Sequence, residues 1–326
     1  MRRRAFIGVI YGAALALPCG AAAQQPGKVW RIGHVLSSTP ERVGAWAEAL
    51  EQRLADLGYV QGRNIALLTR FAGPQPDNIE EAIIALVPQI DLLVVWGSIA
   101  GVTAKKFAAA VPVVFLTIGF PVELGLVLSL AHPGGNMTGI TAEAALETYG
   151  KRLQILKEIV PDLNRAAVLR APDDPNVGFA MTSLDLAARE LGITLIPVDI
   201  KSADDLKAAF ASMKKNEAKA LIVIATALAF TLGKQIADLA LAARLPPSSD
   251  KDGVTVGGLV SLYPDRVAMI RSAAAQIDKI IKGTSPADIP VEQPTRYELC
   301  INLKTARLLN LTIPPTLLAL ADEVIE

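Results

Sequence analysis

Residues 91–98 read DLLVVWGS, and this stretch decides the class of fold. The five consecutive apolar residues at 92–96 are typical of a strand that is buried on both faces. Gly97 and Ser98 then start a helix that we expect to reach about residue 110, and another apolar run follows at 112–117. Buried strands separated by helices predict a parallel sheet with helices on both sides.

The same alternation continues along the chain on both sides of this stretch. Before it, we predict strands at 30–36 and 64–71 and helices at 42–57 and 77–87. A Gly- and Pro-rich turn at 132–136 then opens a second series. Its predicted strands are 165–170, 193–200, 220–225, 258–262 and 297–302, and its predicted helices are 148–160, 174–191, 204–215, 228–244, 264–282, 304–310 and 315–320. Two series of similar size predict an α/β protein with two doubly wound lobes.

The composition excludes several classes of protein. The chain has 326 residues, with 32 Lys and Arg against 32 Asp and Glu, so it lacks the basic excess that nucleic-acid binding requires. An apolar fraction of 52% provides a large core and argues against disorder. Two Cys and two His leave little room for a metal cluster, and we expect neither a metal nor a cofactor.

Residues 1–23 are typical of a signal peptide. Three arginines at 2–4 precede an apolar run at 5–17, and three alanines at 21–23 provide a cleavage site. This pattern predicts a periplasmic protein, exported by the general or the twin-arginine route; an uncleaved anchor and lipidation at Cys19 are the alternatives. Cleavage would leave three more acidic than basic side chains and Cys300 as the lone cysteine, which excludes an intramolecular disulfide.

Parallel sheets bind ligands at the carboxyl ends of their strands, and the loops there supply our candidate ligand-binding residues. Helix capping is the alternative role for the hydroxyl residues among them, and the acidic pair at 173–174 also suits a helix dipole. Phe120 can stack on a ligand or pack in the core. The candidates are Ser37, Ser38, Gly97, Ser98, Gly119, Phe120, Asp173 and Thr226.

No catalytic motif is present in the sequence. There is no G-x-S-x-G elbow, no dinucleotide fingerprint and no phosphate-binding loop with lysine. His34 lies inside a predicted strand and His132 beside a Gly-rich turn, so we assign packing or turn roles to both. An exported two-lobed protein without catalytic residues suggests a binding protein whose lobes close on a ligand by hinge motion.

Several blocks of the sequence carry a family likeness. They include the R-R-x-F-I-G start, LGYVQGRN at 57–64 and LAHPGGNMTG at 130–139; further blocks lie at 151–161, 291–295, 301–306 and 313–325. With these blocks the chain resembles the ABC-transporter substrate-binding proteins of the tryptophan/tyrosine-binding type, over essentially its whole length.

The resemblance implies a type I periplasmic-binding fold whose lobes are joined by three crossovers. Lobe 1 would take 28–139 and 263–294, and lobe 2 would take 140–262 and 295–326. The resemblance also implies that the protein captures a small molecule and delivers it to an ABC permease and its ATPase, and we expect it to be a monomer. A ligand sensor for a membrane receptor and an exported α/β enzyme remain the alternatives.

Three loops depart from the pattern of these relatives. Gly119-Phe120-Pro121 stands where relatives often have Gly-Asp-Pro, Ala171-Pro172 replaces Asn-Pro, and Thr226 replaces an Asp. A buried ammonium group needs a carboxylate partner, and two acidic candidates are missing. We therefore hypothesise that the ligand is not a zwitterionic amino acid but a less cationic, aromatic or carboxylate-bearing small molecule.

Overall fold

The computed structural model describes residues 28–143 and 147–326. The predicted signal peptide at 1–23 lies outside these residues, so its cleavage and route stay predictions. Within the described ranges, no helix is both long and apolar enough to cross a membrane.

Strands and helices alternate along the chain, as predicted. Up to residue 143 the elements are β1 (Trp30–Leu36), α1 (Pro40–Asp56), β2 (Ile65–Phe71), α2 (Pro76–Leu86), β3 (Leu92–Trp96), α3 (Ser98–Phe107), β4 (Val113–Gly119) and β5 (Met137–Glu143). From 147 to 264 they are α4 (Glu147–Ile159), β6 (Arg165–Arg170), α5 (Val177–Leu191), β7 (Thr194–Asp199), α6 (Asp205–Lys215), β8 (Ala220–Val223), α7 (Ala227–Thr231), α8 (Gly233–Ala242), β9 (Pro247–Ser248), α9 (Lys251–Thr255) and β10 (Val260–Pro264). The last elements are α10 (Arg266–Ile281), β11 (Tyr297–Asn302), α11 (Leu303–Leu308), α12 (Pro315–Leu320) and β12 (Glu323–Ile325).

The first sheet has five parallel strands in the order β2-β1-β3-β4-β5. Its central strand β3 is buried throughout, and no residue in it is more than 3% exposed. Helices α1 and α10 cover one face of the sheet, and α2 and α3 cover the other. The doubly wound arrangement predicted from the apolar run at 92–96 is confirmed.

The second sheet has seven strands in the order β12-β11-β10-β9-β8-β6-β7, and one pair in it is antiparallel. The prediction of a parallel sheet is therefore wrong at β10 and β11. The chain leaves β10 after Pro264, forms α10 against the first sheet and returns at Tyr297, which pairs with Pro264. Because the chain re-enters beside the end of β10, β11 has to run in the opposite direction.

The chain passes between the two sheets three times, after β5, after β10 and between 292 and 297. β5 belongs to the first sheet, which therefore extends past the predicted lobe boundary at 139/140 to residue 143. The segment around Glu292, which leads back to the second sheet, runs along the edge of β5 that β4 leaves open. The Thr141 amide donates to the Glu292 carbonyl at 3.0 Å, and the Glu292 amide donates to the Gly139 carbonyl at 3.0 Å. The three passes are therefore bundled at one side of the molecule.

Candidate ligand-binding site

The carboxyl ends of both sets of parallel strands meet across one cleft. About 720 Å³ of non-protein space lies within it, an amount that includes open solvent, and the cavity itself has a volume of about 80 Å³. The first lobe contributes Leu36, Ser37, Ser38, Val43, Trp46, Trp96, Gly97, Ser98, Thr117, Gly119, Ala142 and Arg266. The second contributes Asp174, Asn176, Ala225, Thr226, Ala227, Phe230, Asp250 and Tyr263.

Most of the predicted site residues line this cleft, and all of those lie at or just after the end of a strand. The strand-end rule thus located the cleft, although the binding role of each residue stays a prediction. The six residues in the lining are Ser37, Ser38, Gly97, Ser98, Gly119 and Thr226.

Phe120 lies outside the lining of the cleft. Its backbone has a left-handed φ of 52°, and its ring packs against Phe179 of α5 with 4.8 Å between the ring centroids. Of the two roles considered for Phe120, the geometry favours packing, here as an aromatic contact between the lobes.

Asp173 also lies outside the lining, whereas its neighbour Asp174 faces the cleft. The side chain of Asp173 is 64% exposed, with the Lys201 Nζ 3.9 Å from its carboxylate. Asp174 is 5% exposed. Two neighbouring residues of this turn therefore face different surroundings, Asp173 water and Asp174 the cleft.

Three hydroxyl groups in the lining, those of Ser37, Ser38 and Thr226, have partners within the protein. Ser37 donates to the Trp96 carbonyl at 2.8 Å and ties the ends of β1 and β3 together. The Ser38 hydroxyl lies 3.0 Å from that of Thr231 in the other lobe. Thr226 accepts a backbone N–H from the first turn of α7 at 3.2 Å, so the capping alternative holds there.

Aromatic side chains form one wall of the cleft. Trp46 stacks on Trp96 with 5.4 Å between ring centroids and meets Phe230 at 4.7 Å. The guanidinium of Arg266 lies over the Trp46 ring at 3.8 Å. This wall offers apolar area and already holds a cation on one ring face.

Neither histidine lines the cleft. His34 is fully buried, accepts a hydrogen bond from the Trp96 indole at 2.7 Å and has its pKa lowered to about 3 by burial, so it is neutral. His132 is exposed on a turn. Both observations agree with the packing and turn roles assigned from the sequence.

Two carboxylates line the cleft. The Asp174 carboxylate accepts a hydrogen bond from the backbone N–H of Asn176 at 2.9 Å. Burial raises the pKa of Asp174 to about 6. Asp250 caps α9 through the Gly253 amide at 2.7 Å, and its pKa is raised by burial and then by the charge of Asp252. The loops at Phe120 and Thr226 lack an acid, as the ligand hypothesis states, but these two carboxylates reach the cleft from other loops, so a partner for a buried ammonium group is present.

Sequence reasoning missed several members of the lining. Asp174 and Asn176 follow β6 in a loop that the strand-end rule had selected, so their position carried a signal. Trp46 and Arg266 lie on α1 and α10, and nothing in the helical pattern distinguishes them from surface residues. They reach the cleft only because both helices cover the first sheet beside its carboxyl edge.

A family model and a curated relative are both similar to this chain over most of its length. The family model described as "ABC transporter substrate binding protein" matches residues 43–325. A curated relative, the "Tyrosine-binding protein" of Clostridioides difficile strain R20291, is 24% identical over 262 residues, which cover 79% of this chain and 74% of that protein.

Solved structures share the fold. A conserved domain protein from Vibrio cholerae and an ABC domain from Streptococcus pneumonia in complex with L-Trp each superimpose with a TM-score of 0.85. Each is 22% identical and covers 91% of this chain and 100% of its own. The predicted type I periplasmic-binding architecture is confirmed.

Proposed function

The chain belongs to the family of ABC transporter substrate-binding proteins, and from this premise we propose that it takes a small organic solute into the interlobe cleft and delivers it to a membrane permease. The solute-binding role comes with the family. The particular permease with its ATPase, the exported location and the release of the solute unchanged are the parts that we propose.

One observation carries the proposal: the lining of the cleft is drawn from both lobes, which also touch directly across it. Arg42 of α1 donates to the Phe230 carbonyl at 3.0 Å, and Arg266 of α10 pairs with Asp252 of α9. A solute in such a cleft contacts both lobes at once, so it stabilises the closed form over an open one. This difference between forms lets a transporter distinguish loaded from empty protein.

A thermal-shift screen tests the binding step. Amino acids, aromatic acids, amines and small carboxylates are added to the purified chain, because a solute that binds only the folded protein raises its melting temperature. Ala225→Trp fills the cleft and should abolish the shift, whereas Ala211→Trp on the exposed face of α6 should keep it. A hit that binds both variants equally would place binding elsewhere.

Separate measurements test the export of the protein, the release of the solute unchanged and the role of the permease. N-terminal sequencing of the exported protein checks the signal peptide predicted at 1–23, and mass spectrometry of the recovered solute checks that it is unchanged. Uptake of a screened hit should require both this chain and a permease with its ATPase; uptake without the permease would contradict the transport role.

A further inference from the structure

We infer that the cleft selects a singly charged organic cation with an aromatic body, of the arylalkylamine class, and binds its ammonium group at Asp174 and Asn176. The inference rests on the proposed function, since it takes the interlobe cleft as the binding site. It keeps the exclusion of a zwitterionic amino acid from the ligand hypothesis drawn from the loop sequences, and it reverses the preference for a less cationic solute.

Hydrogen-bond acceptors are concentrated on the loop between β6 and α5. Asp174 is 5% exposed and accepts a hydrogen bond from the backbone N–H of Asn176. The side-chain Oδ1 of Asn176 is buried and has no partner within the protein. Both residues line the cleft. An unmet buried acceptor is costly, and an ammonium group supplies three donors, so this corner is complementary to an amine.

The charges around the cleft do not balance without a ligand. Among the charged side chains in the cleft lining, Asp174 and Asp250 are acidic and Arg266 is basic, and one further pair of opposite charges, Asp252 and Arg42, acts on Asp250. This leaves one excess negative charge. A monocation removes the excess, a zwitterion leaves it in place and a carboxylate adds to it, and such differences are large where water is excluded.

The two guanidinium groups are already engaged in joining the lobes. Arg266 pairs with Asp252 and lies over the Trp46 ring, and Arg42 donates to the Phe230 carbonyl. The buried Nε of Arg266 has no partner, and a ligand carboxylate would use this group. An amino acid is therefore the sharpest competitor of an amine and has to be an arm of the test.

The remaining wall suits an aromatic body. Trp46, Phe230 and Tyr263 line the cleft with Leu36 and Val43 and offer aromatic and aliphatic surface. Aromatic rings pack favourably against such groups through edge-to-face and offset contacts. The acceptor corner and the apolar wall belong to the same cavity, so one molecule can meet both.

Calorimetry with matched ligands tests the charge requirement. Phenethylamine, L-phenylalanine and 3-phenylpropionate share a ring and a side-chain length, and tryptamine, L-tryptophan and indole-3-propionate form a second set. At pH 7.5 we expect each amine to bind at least about tenfold more tightly than its amino acid, and the acids to give no measurable heat. Equal or tighter binding of an amino acid or an acid would overturn the inference.

Variants test the position of the ammonium group. Asp174→Asn keeps the shape and the hydrogen bond to Asn176 but removes the charge, so amine affinity should fall by about tenfold or more. Asp185→Asn, on an exposed position of α5, should leave it unchanged. Circular dichroism checks that both variants fold. Unchanged amine affinity in Asp174→Asn would overturn the assignment.

The inference and the proposed function fail in different ways. If neither amine set binds and the thermal-shift screen finds another solute whose effect Ala225→Trp abolishes, the inference falls and the proposed function stands. If no solute gives a shift that Ala225→Trp removes, both fall.

Discussion

Asp174 sets the electrostatics of the cleft at the scale of a single residue. Its carboxylate is buried and accepts a hydrogen bond from the backbone N–H of Asn176. Burial raises the pKa of Asp174 from an ordinary 3.8 to about 6. A raised pKa means that the folded chain holds this proton more tightly than the unfolded chain. Asp174 therefore lowers the free energy of unfolding as the pH rises from about 4 to 6.

The first prediction is that Asp174→Asn stabilises the ligand-free protein at neutral pH. Removing a buried charge should gain about 1–3 kcal/mol at pH 7.5, or a few degrees in melting temperature, and much less near pH 3, where the carboxyl is mostly protonated in both states. Calorimetric melting at the two pH values measures this. A gain of equal size at both would show that the charge is not the cause.

His34 shows the same desolvation acting on a base. It is fully buried and neutral, and its Nε2 accepts the Trp96 indole N–H at 2.7 Å. Its pKa of about 3 lies below the ordinary 6.5, so the unfolded chain binds this proton first and the fold loses stability as the pH falls from about 6.5.

The second prediction concerns Trp96, whose indole N–H donates a hydrogen bond to His34. Trp96→Phe leaves a buried acceptor without a donor and should cost about 1–3 kcal/mol in free energy of unfolding beyond the lost ring area. Trp30→Phe is the control, since Trp30 is partly exposed. Urea unfolding of both variants measures the difference, and equal losses would mean that the His34 hydrogen bond adds nothing.

At the scale of elements, β5 shows how a strand can form without a clear signal in the sequence. Its residues MTGITAE mix small, polar and apolar side chains, and the sequence analysis predicted no strand there. Contacts on several sides hold it: β4 pairs with it, Thr138 donates to the Ile289 carbonyl at 2.7 Å, and Gln276 donates to that of Gly139 at 3.2 Å.

The third prediction tests how tightly β5 is packed. A methyl group at Gly139 would collide with the carbonyl oxygen and ring of Phe115, so Gly139→Ala should cost about 2–4 kcal/mol. Gly135→Ala, which lies in open space in the turn before β5, should change stability by less than about 1 kcal/mol. Chemical denaturation compares the two, and similar costs would contradict the close packing.

At the scale of the whole molecule, direct contacts hold the lobes together. Ser38 meets Thr231, and Arg266 pairs with Asp252 where both side chains are largely buried. Because these contacts cross the cleft, they contribute only to the closed form. They therefore adjust the closing equilibrium and, through it, the apparent affinity for a solute.

The fourth prediction weakens this closure. Asp252→Asn removes the ion pair with Arg266, so the ligand-free protein should open, with a larger radius of gyration in X-ray scattering. Affinity for a screened solute should fall by about 3- to 30-fold, since part of the binding energy must then close the lobes. The same scattering data give the mass and test the expected monomer.

A surface ion pair provides the matched control for closure. Lys234 and Asp238 pair one turn apart on α8, where both side chains are well exposed and the pair contributes little. Asp238→Asn should leave scattering and affinity as they are. If Asp252→Asn behaves in the same way, the Arg266 pair does not control closing.

Much of the fold could be predicted from local pattern. The bounds of β1, β6, β11 and α12 agree with the sequence-based ones to the residue, because each is a run of one periodicity between turn-forming residues. β12 was missed, since it is three residues long and forms only by pairing with β11. The strand-end rule likewise placed Gly97 and Thr226 at the cleft, yet it selected Asp173 where Asp174 faces inward.

The sequence by itself determined the alternation of buried strands and amphipathic helices, and with it two sheets whose carboxyl edges carry the site. Only the tertiary structure decided that β11 runs antiparallel to β10, and that Trp46, Asp174 and Arg266 meet in one cavity. The physical reason is range. Burial and periodicity are local properties of neighbouring residues, whereas the charge and shape of a cleft depend on side chains brought together from distant segments.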